Sequence, residues 1–305
     1  MIFPPGTLWQ NIIRTTEHAL KTGALVPIST HERFIEDSGV RFVVRVLDGL
    51  RRKKEAKQEQ EAAVLSGKPV NPFLPPDPDL TVAEVTDTHL ALLNKFNVVE
   101  HHLLIVTKRF EDQDTFLTVN DIKALWTCMA EYNSLGFYNG GREAGASQQH
   151  KHLQVVPLPL ASKGPRIPLE PIFTGAPRIG ITALPALPFI HAFVRFDTEM
   201  TGSSADAALV IHGLYTVLLR SLGMQTPDPG RLALASAPYC LLLTRDWMLL
   251  VPRSREHFED ISLNSLAFAG SLFVQSEAQF ERLVSCGPMN ALKSVTLPFR
   301  PAQAT

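Results

Sequence analysis

Three residues that can do chemistry at phosphorus stand at alternate positions in SQQHKHLQVVP, residues 147–157: His150, His152 and Gln154. Side chains alternate along a strand, so the three share one face while Lys151, Leu153 and Val155 take the other. Neighbours two apart are separated by roughly 6.5–7 Å. A neutral imidazole is a good nucleophile and is mostly unprotonated at pH 7. A second imidazole can orient the first through a hydrogen bond. A carboxamide can donate to a phosphoryl oxygen without adding charge. Together they suit nucleotidyl transfer. The row also fits a pair of zinc ligands, although no third ligand of the usual kind is near, and it fits two satisfied histidines beside a loop. Upstream, NGGREAGA brings glycines that let the backbone approach a ligand and turn N–H groups towards phosphate. Asn139, Ser147 and Gln148 lie along that approach.

The surrounding pattern supplies a scaffold. HLALLNKF, NVVEHHLLIVTKRF and GFYNGG read as strands, and HKHLQVVPLPL follows as another. Between them, Ile122, Leu125, Trp126, Met129 and Tyr132 mark one face of a helix that Thr118 or Asn120 caps and Gly136 stops. Near the start, Trp9, Ile12, Ile13, Thr16 and Leu20 form a helical stripe ending at Gly23, and Val40–Leu50 reads as a strand. SSADAALVIHGLYTVLLRSLG is an amphipathic helix, YCLLLTRDWMLLVPRS a hairpin turning at Arg245–Asp246, and LNSLAFAGSLFVQSEAQFERLVS a last helix. This order predicts an α+β fold, a mainly antiparallel sheet flanked by helices. We expect one domain over residues 1–305. It holds an exposed connector (51–79, charged and then proline-rich), a proline-rich surface excursion (157–188) and a C-terminal half (189–305).

Bulk properties set bounds. The formal net charge of −1 over 305 residues gives no field that would draw nucleic acid or an anionic membrane. Any anionic ligand must therefore be held by a local cluster. Three scattered cysteines without a CxxC pair argue against a disulfide framework and for a reducing, cytoplasmic setting. No stretch approaches the roughly 18–20 apolar residues of a membrane span.

At this point the residues carry a resemblance. NGGREAGASQQHKHLQVVPLP resembles the active-site segment of the diadenosine tetraphosphate phosphorylases, also called ATP adenylyltransferases, of the histidine-triad superfamily. ALKTGALVPISTHERFIEDSGVRFVVRV, NPFLPPDPDL, THLALLNKFNVVEHHLLIVTKRFEDQ, LLLTRDWMLLVPRS and ISLNSLAFAGSLFVQ are similar to further family segments, so the likeness spans nearly the whole chain. Gln154 stands where simple histidine-triad hydrolases carry a third histidine, as in the transferase branch.

The resemblance implies that His152 is the nucleophile that becomes adenylylated, His150 its support, and Gln154 a contact to the α-phosphoryl group. It assigns substrate binding to Asn139, Gly145, Ala146, Ser147 and Gln148, to Asn94 and Lys95, to Lys53 (or its neighbour Lys54), and to Asn264, Ser265 and Leu266. Ser271 and Gln275 match positions where some relatives carry methionine and then lysine, so a terminal-phosphate contact made by that lysine carries over less well to this chain. The implied reaction is reversible phosphorolysis of diadenosine tetraphosphate by inorganic phosphate to ATP and ADP. A divalent cation such as Mg2+ accompanies the nucleotide, and no dedicated metal cage is evident. The alternatives are a hydrolase of the same superfamily, a uridylyltransferase like the galactose-1-phosphate enzymes, against which the adenosine-type binding segments argue, and a non-catalytic nucleotide-binding protein; phosphate dependence and a covalent adduct discriminate the first and the last.

Overall fold

Alternation and apolar runs set out the sheet that carries the candidate residues. The computed structural model describes residues 2–47, 71–177, 180–196, 204–226 and 233–297. Its first half runs α1 (Leu8–Thr22), β1 (Thr30–Asp37), β2 (Val40–Leu47), β3 (Thr81–Glu84), β4 (His89–Leu93), β5 (Leu103–Thr107), α2 (Val119–Met129), β6 (Ser134–Gly140) and β7 (His152–Pro157). The second half adds α3 (Glu170–Phe173), β8 (Ile181–Thr182), β9 (Ala192–Arg195), α4 (Ser204–Ser221), β10 (Tyr239–Leu243) and β11 (Trp247–Pro252). After these come β12 (His257–Phe258), β13 (Ile261–Ser262), β14 (Ser271–Val274), α5 (Glu277–Cys286) and α6 (Pro288–Ser294). Nine strands form one antiparallel sheet in the order β3-β4-β5-β7-β6-β10-β11-β9-β8. The sheet crosses between the two halves at β6–β10, with Asn139 opposite Cys240. A three-stranded sheet, β1-β2-β14, stands apart and pairs β14 parallel to β2. The α+β expectation is met.

The two faces of the large sheet are covered differently, and this locates the site. One face buries Leu103, Ile105, Leu153, Val155, Leu241 and Leu250 against the apolar sides of α1, α2 and α4. On the other, Phe137, Val156, Leu242 and Leu249 pack with Phe42, Val44, Leu272 and Val274 of the small sheet. Over β4 and β5 that second face carries, among the described residues, a small separate cluster, Phe73, Leu92, Leu104 and Val106. The part of β7 beside this cluster is where His152 and Gln154 sit.

Several expectations are corrected. The excursion 157–188 is no surface loop: Leu160, Ile167, Leu169 and Phe173 are fully buried in the core beneath the small sheet. Its apolar residues lack a period because they fill a layer between sheets. In the connector, residues 71–79 pack inward through Phe73; Lys53 and Lys54 lie outside the described residues. The apolar seam of α1 is Leu8, Ile12 and Ala19, and Leu20 is exposed. β1 was hidden by the charges of THERFIED.

The expected last helix is broken into a 3-10 turn (Ser265–Ala269), β14 and α5. Gly270 makes the break: its φ is +88°, and a Cβ there would lie 2.6 Å from Pro168. The apolar run that follows then satisfies its backbone by pairing with β2.

Candidate active site

β7 lies between β5 and β6, with His152 opposite Val106 and Gln154 opposite both Leu104 and Phe137. His150 precedes the strand and makes a single bridge to Asp112. The alternation holds. Phe73 stands 5.6 Å from the His150 ring and 5.4 Å from that of His152. Lys151 points the other way, fully buried, its ammonium 2.9 Å from Asp121. Asp121 closes the capping box of α2 with Thr118 and takes a 2.9 Å hydrogen bond from His89. The strand leading to His152 is thereby anchored to the helix beneath it.

Hydrogen bonds fix which imidazole nitrogen is free. His152 Nδ1–H donates to the carbonyl oxygen of His150 at 2.8 Å. A carbonyl only accepts, so the proton sits on Nδ1 and the Nε2 lone pair remains. Among the described residues Nε2 has no partner. His150 is spent differently: its Nε2–H donates to the Thr107 carbonyl at 2.8 Å, and its Nδ1 accepts from Asn71 Nδ2 at 2.9 Å. Its ring therefore has no nitrogen left for phosphorus or for a metal. The expected support of His152 by the His150 ring is replaced by support from the His150 main chain. Burial lowers the pKa of His152 and of His102 to about 4 and depresses that of His150, so all three rings are neutral at pH 7.

A side chain that sequence reasoning missed holds this register. The β6–β7 ladder stops at Phe137–Gln154. Where Asn139 and His152 would meet next, the amide of Gln113 is inserted. His152 N–H donates to Gln113 Oε1 at 2.8 Å, and Gln113 Nε2 donates to the Asn139 carbonyl at 2.8 Å. The strands are pried apart beside His152 without orphaning their backbone groups. Nothing local in EDQDT marks this role, because the amide acts across the fold. Asn71 and Phe73 were missed for the same reason.

The structure brings most of the expected binding residues together. Asn139 Oδ1 accepts from Ser265 N–H at 3.0 Å, Ser265 Oγ donates to the Tyr138 carbonyl, and Asn264 Oδ1 caps Leu266 N–H. Gly145, at φ +93°, comes so near that a Cβ would lie 2.8 Å from Asn264 Cβ. Asn139, Gly145 and residues 264–266 thus form one unit at the end of β6. Gly145 N–H and Ala146 N–H are used internally, by the carbonyls of Arg142 and Gly141. The amides of Ser147 and Gln148 have no acceptor among the described residues. Asn94 connects to Gln154 through His102, with Asn94 Nδ2 3.2 Å from His102 Nδ1 and His102 Nε2 3.0 Å from Gln154 Oε1. Lys95 is exposed, its ammonium 5.4 Å from the Phe96 ring.

Two expected residues do not join this group. Ser271 lies on β14, where its buried hydroxyl accepts from Arg45 Nη1 at 2.9 Å, and Gln275 is exposed just beyond that strand. Among the described residues no cluster of three or more His, Cys, Asp or Glu could hold a metal ion, and no helix is long and apolar enough to cross a membrane.

Comparison with known proteins gives consistent matches. Residues 1–175 match the family model of the Ap4A phosphorylase N-terminal domain, and residues 185–298 that of the ATP adenylyltransferase C-terminal domain. The chain is 28% identical over 238 residues to the diadenosine tetraphosphate phosphorylase 2 of Saccharomyces cerevisiae, covering 71% of this chain and 72% of that one. It is 25% identical over 287 residues to Protein APA1 of the same yeast, covering 87% and 86%. In fold it is similar to the crystal structure of yeast Ap4A phosphorylase Apa2, with a TM-score of 0.77 at 23% identity over 100% of this chain and 98% of that one. A crystal structure of the same yeast protein in complex with Ap4A aligns with a TM-score of 0.75 at 22% identity, over 99% and 100%.

Proposed function

This chain belongs to the Ap4A phosphorylase family, and on that premise we propose that it splits diadenosine tetraphosphate with inorganic phosphate into ATP and ADP, with His152 as nucleophile. The observation that carries the residue assignment is the free Nε2 of His152 beside a committed His150. In the first step the Nε2 lone pair forms a bond to the α-phosphorus. The bond from that phosphorus to the bridging oxygen breaks, and ATP leaves with that oxygen. The Nδ1 proton stays in place, and the His150 carbonyl dipole stabilises the positive charge that develops on the ring. In the second step an oxygen of inorganic phosphate attacks the same phosphorus, the P–N bond breaks, and ADP forms. No proton need leave the imidazole at any stage. Two in-line displacements give net retention at phosphorus.

The other residues bind and orient. Gln154 donates to an α-phosphoryl oxygen. The amides of Ser147 and Gln148 suit phosphate oxygens on the substrate side of the glycine turn. Asn139 and residues 264–266 shape the wall behind it. A divalent cation such as Mg2+ enters as part of the substrate: among the described residues the polar side chains around His152 are imidazoles, amides and hydroxyls, so the anionic oxygens such an ion prefers come from the polyphosphate. The three free thiols, two of them buried, support a reducing cytoplasmic setting.

The test is incubation of the pure protein with diadenosine tetraphosphate, with and without phosphate, and identification of products. ATP and ADP in equal amounts, both dependent on phosphate, are expected. AMP plus ATP without phosphate would make the protein a hydrolase.

A further inference from the structure

A carboxamide has two unlike ends, so a glutamine that serves a phosphoryl group must be held with its NH2 forward. If it flips, an oxygen lone pair faces phosphate oxygens and stabilisation becomes repulsion. A histidine at this position has a tautomer to settle; Gln154 has an orientation to settle.

The structure contains a chain of polar groups that settles it. The main-chain N–H of Phe96 can only donate, and it points at Asn94 Oδ1 at 3.3 Å. Asn94 therefore turns its Nδ2 towards His102, 3.2 Å from Nδ1. That nitrogen must accept, so the neutral ring carries its proton on Nε2. His102 Nε2–H then donates to Gln154 Oε1 at 3.0 Å. Gln154 is left with its NH2 directed away from His102, and that group has no acceptor among the described residues. We infer that Asn94 and His102 are positioning residues: they form a directional relay, fixed at one end by the Phe96 amide, that locks the Gln154 carboxamide with its N–H groups towards the α-phosphoryl site.

The polarity cannot be reversed locally. Turning Gln154 over would set its NH2 against His102 Nε2–H, donor against donor. Relieving that would move the proton to Nδ1, against Asn94 Nδ2, and then turn Asn94 and orphan the Phe96 amide. Burial of His102, which disfavours a second proton, keeps the ring from donating at both ends. The same relay gives Asn94 a task besides any substrate contact. It also gives a function to His102, the buried member of the His101–His102 pair.

The inference rests on the reading that His152 is adenylylated, so it is tested on that half-reaction: AMP incorporation into the protein in a single turnover without phosphate, followed by intact mass. Removing Gln154 should slow this step on the order of 10²-fold. His102→Phe keeps the ring and deletes the relay; it should slow the step about tenfold. In a Gln154→Ala background it should make no further difference, because the relay then has nothing to orient. His102→Gln, whose amide nitrogen reaches about as far as Nε2, should recover part of the rate. An unchanged rate in His102→Phe would overturn the proposal, and so would an equal slowing in the Gln154→Ala background, which would mean that His102 acts by packing alone. A 15N spectrum of histidine-labelled wild type provides an independent arm. It should show His102 as the Nε2–H tautomer at pH 7, and an Nδ1–H tautomer would overturn the relay whatever the kinetics. A wild-type protein that takes up no AMP would instead end the functional reading and the purpose of the relay with it, while the spectrum still reports whether the relay exists.

Discussion

At the scale of single residues, reactivity is decided by which nitrogen is already in use. Two histidines two apart look equivalent in the sequence. In the fold, one is saturated by Thr107 and Asn71 and the other keeps a lone pair. The alternating row and its shared face were legible from HKHLQ because strand geometry fixes them. That the His150 carbonyl, and not its ring, pins His152 was not legible, because main-chain partners leave no mark on residue type. Two predictions belong here. His150→Ala keeps the carbonyl, so it should slow adenylylation without moving the adduct, as read by peptide mass. The pH dependence follows from burial: with its pKa lowered to about 4, His152 keeps its lone pair over the neutral range. The pre-steady-state rate of adenylylation should therefore be nearly flat from about pH 8 to about pH 5 and fall below that, where an exposed histidine would already decline near 6.5.

At the scale of elements, the site depends on two junctions. The first is the approach of the glycine turn to the residues ahead of the 3-10 turn. Gly145→Ala would force a Cβ to within 2.8 Å of Asn264 in a left-handed backbone conformation. The strain is worth about 1–3 kcal/mol. We expect it to appear as a KM for the dinucleotide raised roughly tenfold, with a smaller change in kcat, because the wall moves and the nucleophile does not. The second junction ties the residue just before β7 to α2 through the buried Lys151–Asp121 pair. Lys151→Ala strands a buried carboxylate whose pKa its partners hold low. The loss should be about 3–5 kcal/mol of unfolding free energy, measured by denaturant titration. Helices α1, α2 and α4, the β10–β11 hairpin and the central strands could be read from periodicity. The break at Gly270 could not, since a run such as LNSLAFAGSLFV satisfies a helical period and only the parallel pairing of β14 with β2 overrules it.

At the scale of the whole molecule, one sheet spans both family segments, and among the described residues its second face is covered over β6, β10 and β11 but left to a small cluster over β4 and β5. On the proposed function, the substrate sits on that less covered side. Residues 157–188 build the covered side, and their burial was invisible in a proline-rich stretch without a period. Placing neutral histidines in such a fold has a consequence for stability. His102 and His152 have folded pKa values of about 4, below the 6.5 of an unfolded chain. The unfolded state binds more protons between those values. Their contribution is therefore complete above about pH 6.5 and is lost as the pH falls towards 4, on the order of a few kcal/mol in all. Denaturant titrations at pH 7.5 and 5 should show this decline, and His102→Phe should flatten it.

The most direct test of the central claim is peptide mapping by mass spectrometry after brief exposure of the protein to diadenosine tetraphosphate without phosphate, with samples kept at alkaline pH to preserve a phosphoramidate. The free Nε2 predicts AMP on His152 alone, no adduct in His152→Ala, and discharge of the adduct to ADP when phosphate is added. AMP on His150, or an adduct that survives in His152→Ala, would contradict the account.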